Sequence, residues 1–182
     1  MVYIFLADGF EEIEALAPAD VLRRAEIDVK LCGVGGDVIR GSHGISVVCD
    51  SVIEEAVLNE RTEAVILPGG MPGTLNLEKS ELVQLAVDFA VENERLVCAI
   101  CAAPSILGHK GLLKGKNAIS FPGFETELKG AVISEKYVVK DGKFITAKGM
   151  GSAVEFGLEI VKALKGSEAA EKIRASLQIY RG

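Results

Sequence analysis

LVCAICAAPSIL, residues 96–107, is the stretch on which the fold turns. Leu96 to Ile100 form a short unbroken apolar run of strand length, and the small residues Ala102 and Ala103 with Pro104 then open a helical pattern. An apolar strand with no polar alternation that runs directly into a helix is the corner of a parallel sheet covered on both faces. Pro104 suits a first helical turn, where its missing N–H leaves nothing unpaired. The same stretch carries Cys98 and Cys101, which raises the choice between a redox pair, a metal clip and one reactive thiol beside a packing residue. A thioredoxin-type pair needs both thiols at the start of one helix, but Cys98 falls inside the strand. Three strand steps of ~3.3 Å put the two α-carbons roughly 10 Å apart, beyond the ~7 Å reach of a disulfide. Alternation predicts that the two side chains face opposite sides of the sheet. Zinc would need further ligands at short spacing, and the chain has only His43 and His109.

The same strand-then-helix grammar extends outward from this corner. Strands are predicted at Val2 to Ala7, Ile27 to Leu31, Ile45 to Cys49 and Ala64 to Leu67, with short strand-like pieces at Ala118 to Ser120, Tyr137 to Val139 and Phe144 to Thr146. Asp141-Gly142 joins the last two as a hairpin signal. Helices are predicted from Glu11 to Ala25, Ser80 to Glu92, Ala153 to Leu164 and Ser167 to Ser176, with another beginning just past Cys101. In the second of these, Leu82, Val83, Leu85, Ala86, Phe89 and Ala90 are expected on the packed side. Gly33 to Gly44 is expected to hold short antiparallel pieces. Alternating strands and helices of this kind make an α/β fold with a mostly parallel sheet and helices on both faces.

The chain has 182 residues, 49% hydrophobic and 25% charged, which predicts one domain over residues 1–182. A net charge of -6 and no basic run exclude a surface built to neutralise phosphates, so no nucleic-acid partner is expected. No apolar run approaches the ~20 residues of a membrane span, and the opening MVYIFLADGFEE lacks the pattern of a secretory signal; a cytoplasmic location without a membrane partner is expected. Gly33-Val-Gly35-Gly36 lacks the third glycine of a dinucleotide fingerprint and precedes no clear helix.

Cys101 falls at the carboxyl end of its strand, the edge at which open α/β sheets bind ligands. A helix start offers free N–H groups and a positive dipole end, so the expectation is a thiol pKa below the ordinary value; an inert buried cysteine is the alternative. Glu14 follows the first strand onto the same edge, and its stripe with Ala17 and Val21 lets it look inward, although an acidic first turn facing solvent reads equally well. Held beside the thiol, its carboxyl would have a raised pKa. LPGGMPG, residues 67–73, ends another strand, where glycines either let backbone N–H groups approach a reacting oxygen or simply make a tight loop. His109, eight residues beyond Cys101 and roughly 12 Å along a helix, is poorly placed as its base. His43 could reach the site only through the fold or from a neighbouring subunit.

Taken together, ADGFEEIE (7–14) with Pro18, VLRRA (21–25), VILPGG (65–70), AICAAP (99–104) and MGSAVEFG (150–157) resemble the DJ-1/ThiJ/PfpI superfamily nearly end to end. The resemblance implies a flavodoxin-like doubly wound fold. It also implies Cys101 as the reactive cysteine, Glu14 as its carboxyl partner, Gly69 and Gly70 as backbone donors, and Met71, Ala102, Phe121 and His43 as pocket residues. No metal and no cofactor are implied. The expected activity is cysteine-dependent chemistry on reactive dicarbonyls or early glycation adducts, of the glyoxalase III or deglycase type, by a homodimer. Redox sensing or a chaperone-like stress role through an oxidisable Cys101 is the rival. A peptidase comes third, because Ala102 stands where a histidine follows the cysteine in PfpI-like peptidases. The branch with Ala or Gly at that position often has a histidine where this chain reads Ser120-Phe121-Pro122.

Overall fold

The computed structural model describes residues 1–179. In chain order it contains β1 (Val2–Ala7), α1 (Glu12–Arg24), β2 (Val29–Val34), β3 (Val38–Arg40), β4 (Ser46–Val48), β5 (Ser51–Val52), β6 (Ala64–Leu67), α2 (Gly73–Lys79) and α3 (Glu81–Glu92). There follow β7 (Leu96–Ile100), α4 (Pro104–His109), β8 (Asn117–Ala118), β9 (Val132–Ile133), β10 (Val138–Asp141), β11 (Phe144–Ala147), α5 (Ala153–Lys165) and α6 (Ser167–Ser176). The main sheet has the order β10-β11-β7-β6-β1-β2-β5, and only the β10–β11 pair is antiparallel. This is the flavodoxin-like α/β arrangement.

β1, β6 and β11 are buried at every position, as strands covered on both faces must be. Alternate residues feed two cores. Ile4, Leu6, Ile66, Cys98 and Ile100 pack with α1, α5 and α6 on one face, while Phe5, Val65, Leu67, Val97 and Ala99 pack with α3 and α4 on the other. α1 and α5 approach closely at Gly157, where a β-carbon would stand 3.0 Å from the Pro18 α-carbon and the Val21 β-carbon. Pro18 inside α1 removes the bond that would close on the Glu14 carbonyl. No helix among the described residues is long and apolar enough to cross a membrane.

Several elements differ from the sequence expectation. β2 lies further along than Ile27 to Leu31, because Cys32, Gly33 and Val34 continue its pairing with β1. The packed stripe of α3 is Val83, Ala86, Val87 and Ala90, while Leu82 and Leu85 face solvent; the helix rolls so that small residues meet the sheet. The loop after β6 contains an unforeseen helix, α2, whose glycine start disguises it. β8 pairs with β9 apart from the main sheet and ends before Ser120, and β4 pairs with β3 as a separate ribbon.

His109 at the end of α4 bridges Glu78 of α2 and, at 2.9 Å, Glu127 in a single 3-10 turn. Hydrogen bonds from Glu127 and then Glu78 raise its pKa. A histidine whose folded pKa exceeds the unfolded value stabilises fully below the unfolded pKa of about 6.5 and loses that contribution as pH rises through the folded value. The stability difference between wild type and His109→Gln, measured by thermal unfolding, is therefore expected to be at most about 1 kcal/mol at pH 5.5 and to be smaller at about pH 9. Equal differences at both pH values would exclude the bridge.

Candidate active site

Cys101 is the residue on which the strand stops. Its φ is +66°, a left-handed conformation costly for a side chain with a β-carbon, and its N–H still closes on the Ala147 carbonyl of β11 at 2.9 Å. The turn breaks the alternation of β7. Cys101 therefore packs against the same core layer as Cys98 rather than the opposite one, correcting the expectation that the two thiols face apart. Both remain free thiols.

Glu14 is 1% exposed, and its carboxyl is hydrogen bonded to the Cys101 thiol. The Gly69 N–H donates to its Oε2 at 3.1 Å, and the Met150 N–H donates to the same carboxylate. A β-carbon on Gly69 would fall 2.5 Å from both the Cys101 β-carbon and Glu14 Oε2, which shows how tightly the three residues close together. Gly69 was expected to face the thiol; its N–H is instead committed to Glu14. The N–H groups of Gly70, whose φ is +89°, and of Ala102 point at the Cys101 sulfur.

Burial, followed by the charge of Glu11, pushes Glu14 up to about 7, against the hydrogen bonds from Cys101, Gly69 and Met150. Burial, then the Glu14 charge and hydrogen bond, push the Cys101 thiol up to about 12, against the N–H groups of Gly70 and Ala102. The sequence expectation of a lowered thiol is therefore reversed: the helix-start donors are present, and desolvation beside a carboxylate outweighs them. Between about pH 7 and about 12 the pair carries one negative charge, on the Glu14 carboxylate, and one proton, on the Cys101 sulfur. If that proton sits on Glu14, the carboxylate charge disappears and the hydrogen bond runs from oxygen to sulfur, which favours the thiolate.

The other expected residues divide. Ala102 is buried against the sulfur, and Phe121 donates its N–H to the Cys101 carbonyl at 2.8 Å. Met71 is 47% exposed on the loop after Gly70. His43 is not brought to the thiol. Its N–H donates to Glu12 Oε1 at 2.9 Å, and its ring sits 3.2 Å from Glu12 and 3.3 Å from Glu11. Glu11, Glu12 and His43 offer three ligand atoms within 4.8 Å of one another. The Glu12 oxygens already accept from the His43 and Ile45 N–H groups and from Ser42, which ties the loop to α1. Met150 and Gly149 were missed as site residues. Their signal was the Gly149-Met150-Gly151 turn just beyond a strand at the same sheet edge as Cys101.

Cys32 and Cys49 are buried and their thiols raised, by desolvation first in each case; Cys49 reaches about 11, and fully buried Cys98 is pushed up further. Access therefore separates Cys101 from the rest. Limiting iodoacetamide is expected to label Cys101 first, and mild peroxide to add two oxygens there. Peptide mapping that found Cys49 or Cys98 modified first, or an intact mass two units lower from a Cys98–Cys101 disulfide, would contradict this geometry.

Comparison with known proteins is consistent along the whole chain. Residues 1–163 match the DJ-1/PfpI family model. The chain is 35% identical to protein dj-1beta of Drosophila melanogaster, over 97% of this chain and 95% of that protein. It is 31% identical to a deglycase of Pyrococcus abyssi, over 90% and 99% respectively. The structure of oxidized Toxoplasma gondii DJ-1 superposes with a TM-score of 0.93 at 34% identity, covering 99% of this chain and 98% of that one. With the family model matched over residues 1–163 and relatives a third identical over nearly their whole length, this chain, with its cysteine elbow facing a buried carboxyl, belongs to the DJ-1/PfpI family.

Proposed function

We propose that the protein is a cofactor-independent, cysteine-dependent enzyme of the cytoplasm that converts reactive α-dicarbonyls, or their early adducts, to 2-hydroxy acids. The observation that carries this reading is the Cys101–Glu14 pair: a thiol hydrogen bonded to a buried carboxyl that titrates at about 7. The Pyrococcus deglycase among the relatives supports it.

With methylglyoxal, the Cys101 sulfur forms a bond to the aldehyde carbon while its proton passes to Glu14, which hands it on to the carbonyl oxygen, giving the hydroxyl of a hemithioacetal and restoring the Glu14 carboxylate. Glu14 as carboxylate then takes the proton from that carbon, giving an enediolate, and returns it to the neighbouring carbon, while the hydroxyl proton of the first carbon moves to the oxygen of the second, leaving a lactoyl thioester. Water cleaves the thioester, releasing lactate and restoring the thiol. The net reaction adds one water to one methylglyoxal. The Gly70 N–H, which is free of Glu14, steadies the oxyanion formed at the addition step. Peptide cleavage would require protonation of a leaving amine, for which Ala102 supplies no imidazole.

A redox-sensing role is the second reading, supported by the oxidized state of the Toxoplasma relative. We further propose a homodimer in which exposed Ile13 of α1 and Ile45 and Val48 of the β3–β4 ribbon are covered, to be checked by sedimentation. Purified protein given methylglyoxal without glutathione or added metal is expected to form lactate, and to leave an unstructured peptide uncut. Peptide cleavage would favour a peptidase; neither activity, with peroxide oxidation of Cys101 intact, would favour the sensor.

A further inference from the structure

Beside the Cys101–Glu14 pair, behind Phe121 and the Gly149-Met150 turn, lies a hollow of about 240 Å³ that the proposed chemistry on methylglyoxal does not use. Its walls are Phe121, Pro122, Tyr137, Lys148 and Met150. It adjoins the site through three contacts of its lining residues. The Phe121 N–H holds the Cys101 carbonyl, and the Met150 N–H holds Glu14. Gly149 lies between them, where a β-carbon would stand 3.3 Å from the Phe121 ring and 3.9 Å from Glu14 Oε1.

The hollow's chemistry is unusual for exposed surface. Phe121 is 48% exposed, Met150 54% and Tyr137 66%, so three large apolar faces stand open together. The hairpin register sets Tyr137 opposite Lys148, whose N–H donates to the Tyr137 carbonyl at 2.9 Å. The Lys148 ammonium lies 5.1 Å from the Tyr137 ring centroid and pairs with no carboxylate among the described residues. An apolar slot with one uncompensated cation at its wall fits an apolar arm ending in an anion.

We propose that this hollow is a substrate subsite for the non-reacting arm of the aldehyde, and that the protein prefers α-ketoaldehydes whose arm is an apolar group bearing a carboxylate. The proposal rests on the dicarbonyl reading for the reaction itself, not for the binding of the arm. A volume of 240 Å³ equals that of about eight water molecules, which accommodates a substituted ring and far exceeds the methyl of methylglyoxal. The arm lies between the Phe121 and Tyr137 faces, and its carboxylate meets Lys148. The aldehyde carbon stays at Cys101, and an arylglyoxal takes up one water to give an arylhydroxyacetate, as methylglyoxal gives lactate.

The test compares kcat/KM for para-carboxyphenylglyoxal and phenylglyoxal in wild type and Lys148→Met. Wild type is expected to favour the carboxylated aldehyde, and Lys148→Met to lower that ratio about tenfold, the usual weight of a charge-assisted contact. In parallel, para-acetylbenzoate, which has the arm without an aldehyde, is titrated into both proteins by calorimetry, where its Kd should rise about tenfold in Lys148→Met. An unchanged ratio, an unchanged Kd, or no binding to wild type would overturn the subsite. Lys148-dependent binding without turnover of any aldehyde would instead overturn the dicarbonyl reading and leave the subsite standing.

Discussion

Cys101→Ala is expected to abolish lactate formation, and Glu14→Gln to lower kcat/KM for methylglyoxal by about a hundred- to ten-thousandfold, the range of a positioned proton-transfer group. Gln can still accept from the Gly69 N–H but cannot take the thiol proton or the proton on the hemithioacetal carbon. Glu14→Asp should also lose activity, because the shorter side chain withdraws the carboxyl from the sulfur. The pH profile supplies an independent check. With the carboxylate as base, wild-type kcat/KM should rise through a single ionisation near pH 7, and that limb should be missing from Glu14→Gln. Stability should move the other way. A carboxyl whose folded pKa lies above its unfolded value makes the fold less stable as pH rises from about 4.5 to about 7, because the folded state binds the extra proton there. Urea denaturation at pH 8 is therefore expected to find Glu14→Gln no less stable than wild type, and up to ~3 kcal/mol more so. A Glu14→Gln enzyme with normal turnover would reduce Glu14 to a buried structural carboxyl.

Gly69→Ala is expected to damage both the fold and the site. Its added methyl would fall 2.5 Å from the Cys101 β-carbon, 2.5 Å from Glu14 Oε2 and 2.9 Å from the Ile100 carbonyl oxygen. The Cys101 β-carbon and the Ile100 carbonyl cannot swing aside, and Glu14 Oε2, a side-chain end, is itself held by the Gly69 N–H, so the loop or the elbow must shift. The expected cost is about 1–3 kcal/mol by urea denaturation, with turnover falling as Glu14 loses the Gly69 N–H. Gly36→Ala is the control: nothing lies within 4 Å of its β-carbon, and a change within about 0.5 kcal/mol is expected. Comparable losses in the two variants would mean that the close approach at Gly69 is not what constrains the site.

The central strands were legible because burial on both faces leaves an unbroken apolar run, as in β1 and β7, and because Pro104 marks a helix start. α2 was hidden behind Gly69-Gly70-Met71-Pro72-Gly73, where turn chemistry masks the short helix that follows. The packed face of α3 was misread because Leu82 and Leu85 look like core residues, while the sheet surface accepts Val83, Ala86, Val87 and Ala90. At the site, residue types and sheet edge were readable, but the direction of the Cys101 pKa was not. A helix start predicts a lowered thiol from local geometry alone; burial and a carboxylate from α1, distant in sequence, decide the sign. The commitment of the Gly69 N–H to Glu14 is likewise a long-range outcome that no local motif encodes.

The partners of Cys101 come from four separate stretches: Glu14 after β1, Gly70 after β6, Ala102 after β7, and Met150 beyond β11, which steadies Glu14. Burial by these stretches and the Glu14 charge outweigh the Gly70 and Ala102 N–H groups, so the native thiol is less acidic than it would be in a loosened chain. Where an opening motion withdraws α1 or the loop after β6, the sulfur loses both its burial and the Glu14 charge, and its pKa returns toward the free value of about 8.5. Alkylation at pH 8 then proceeds faster from the opened form than from the closed one. The labelling rate of Cys101 is therefore a clock for local opening, and a ligand that closes the site should slow it even without touching the sulfur.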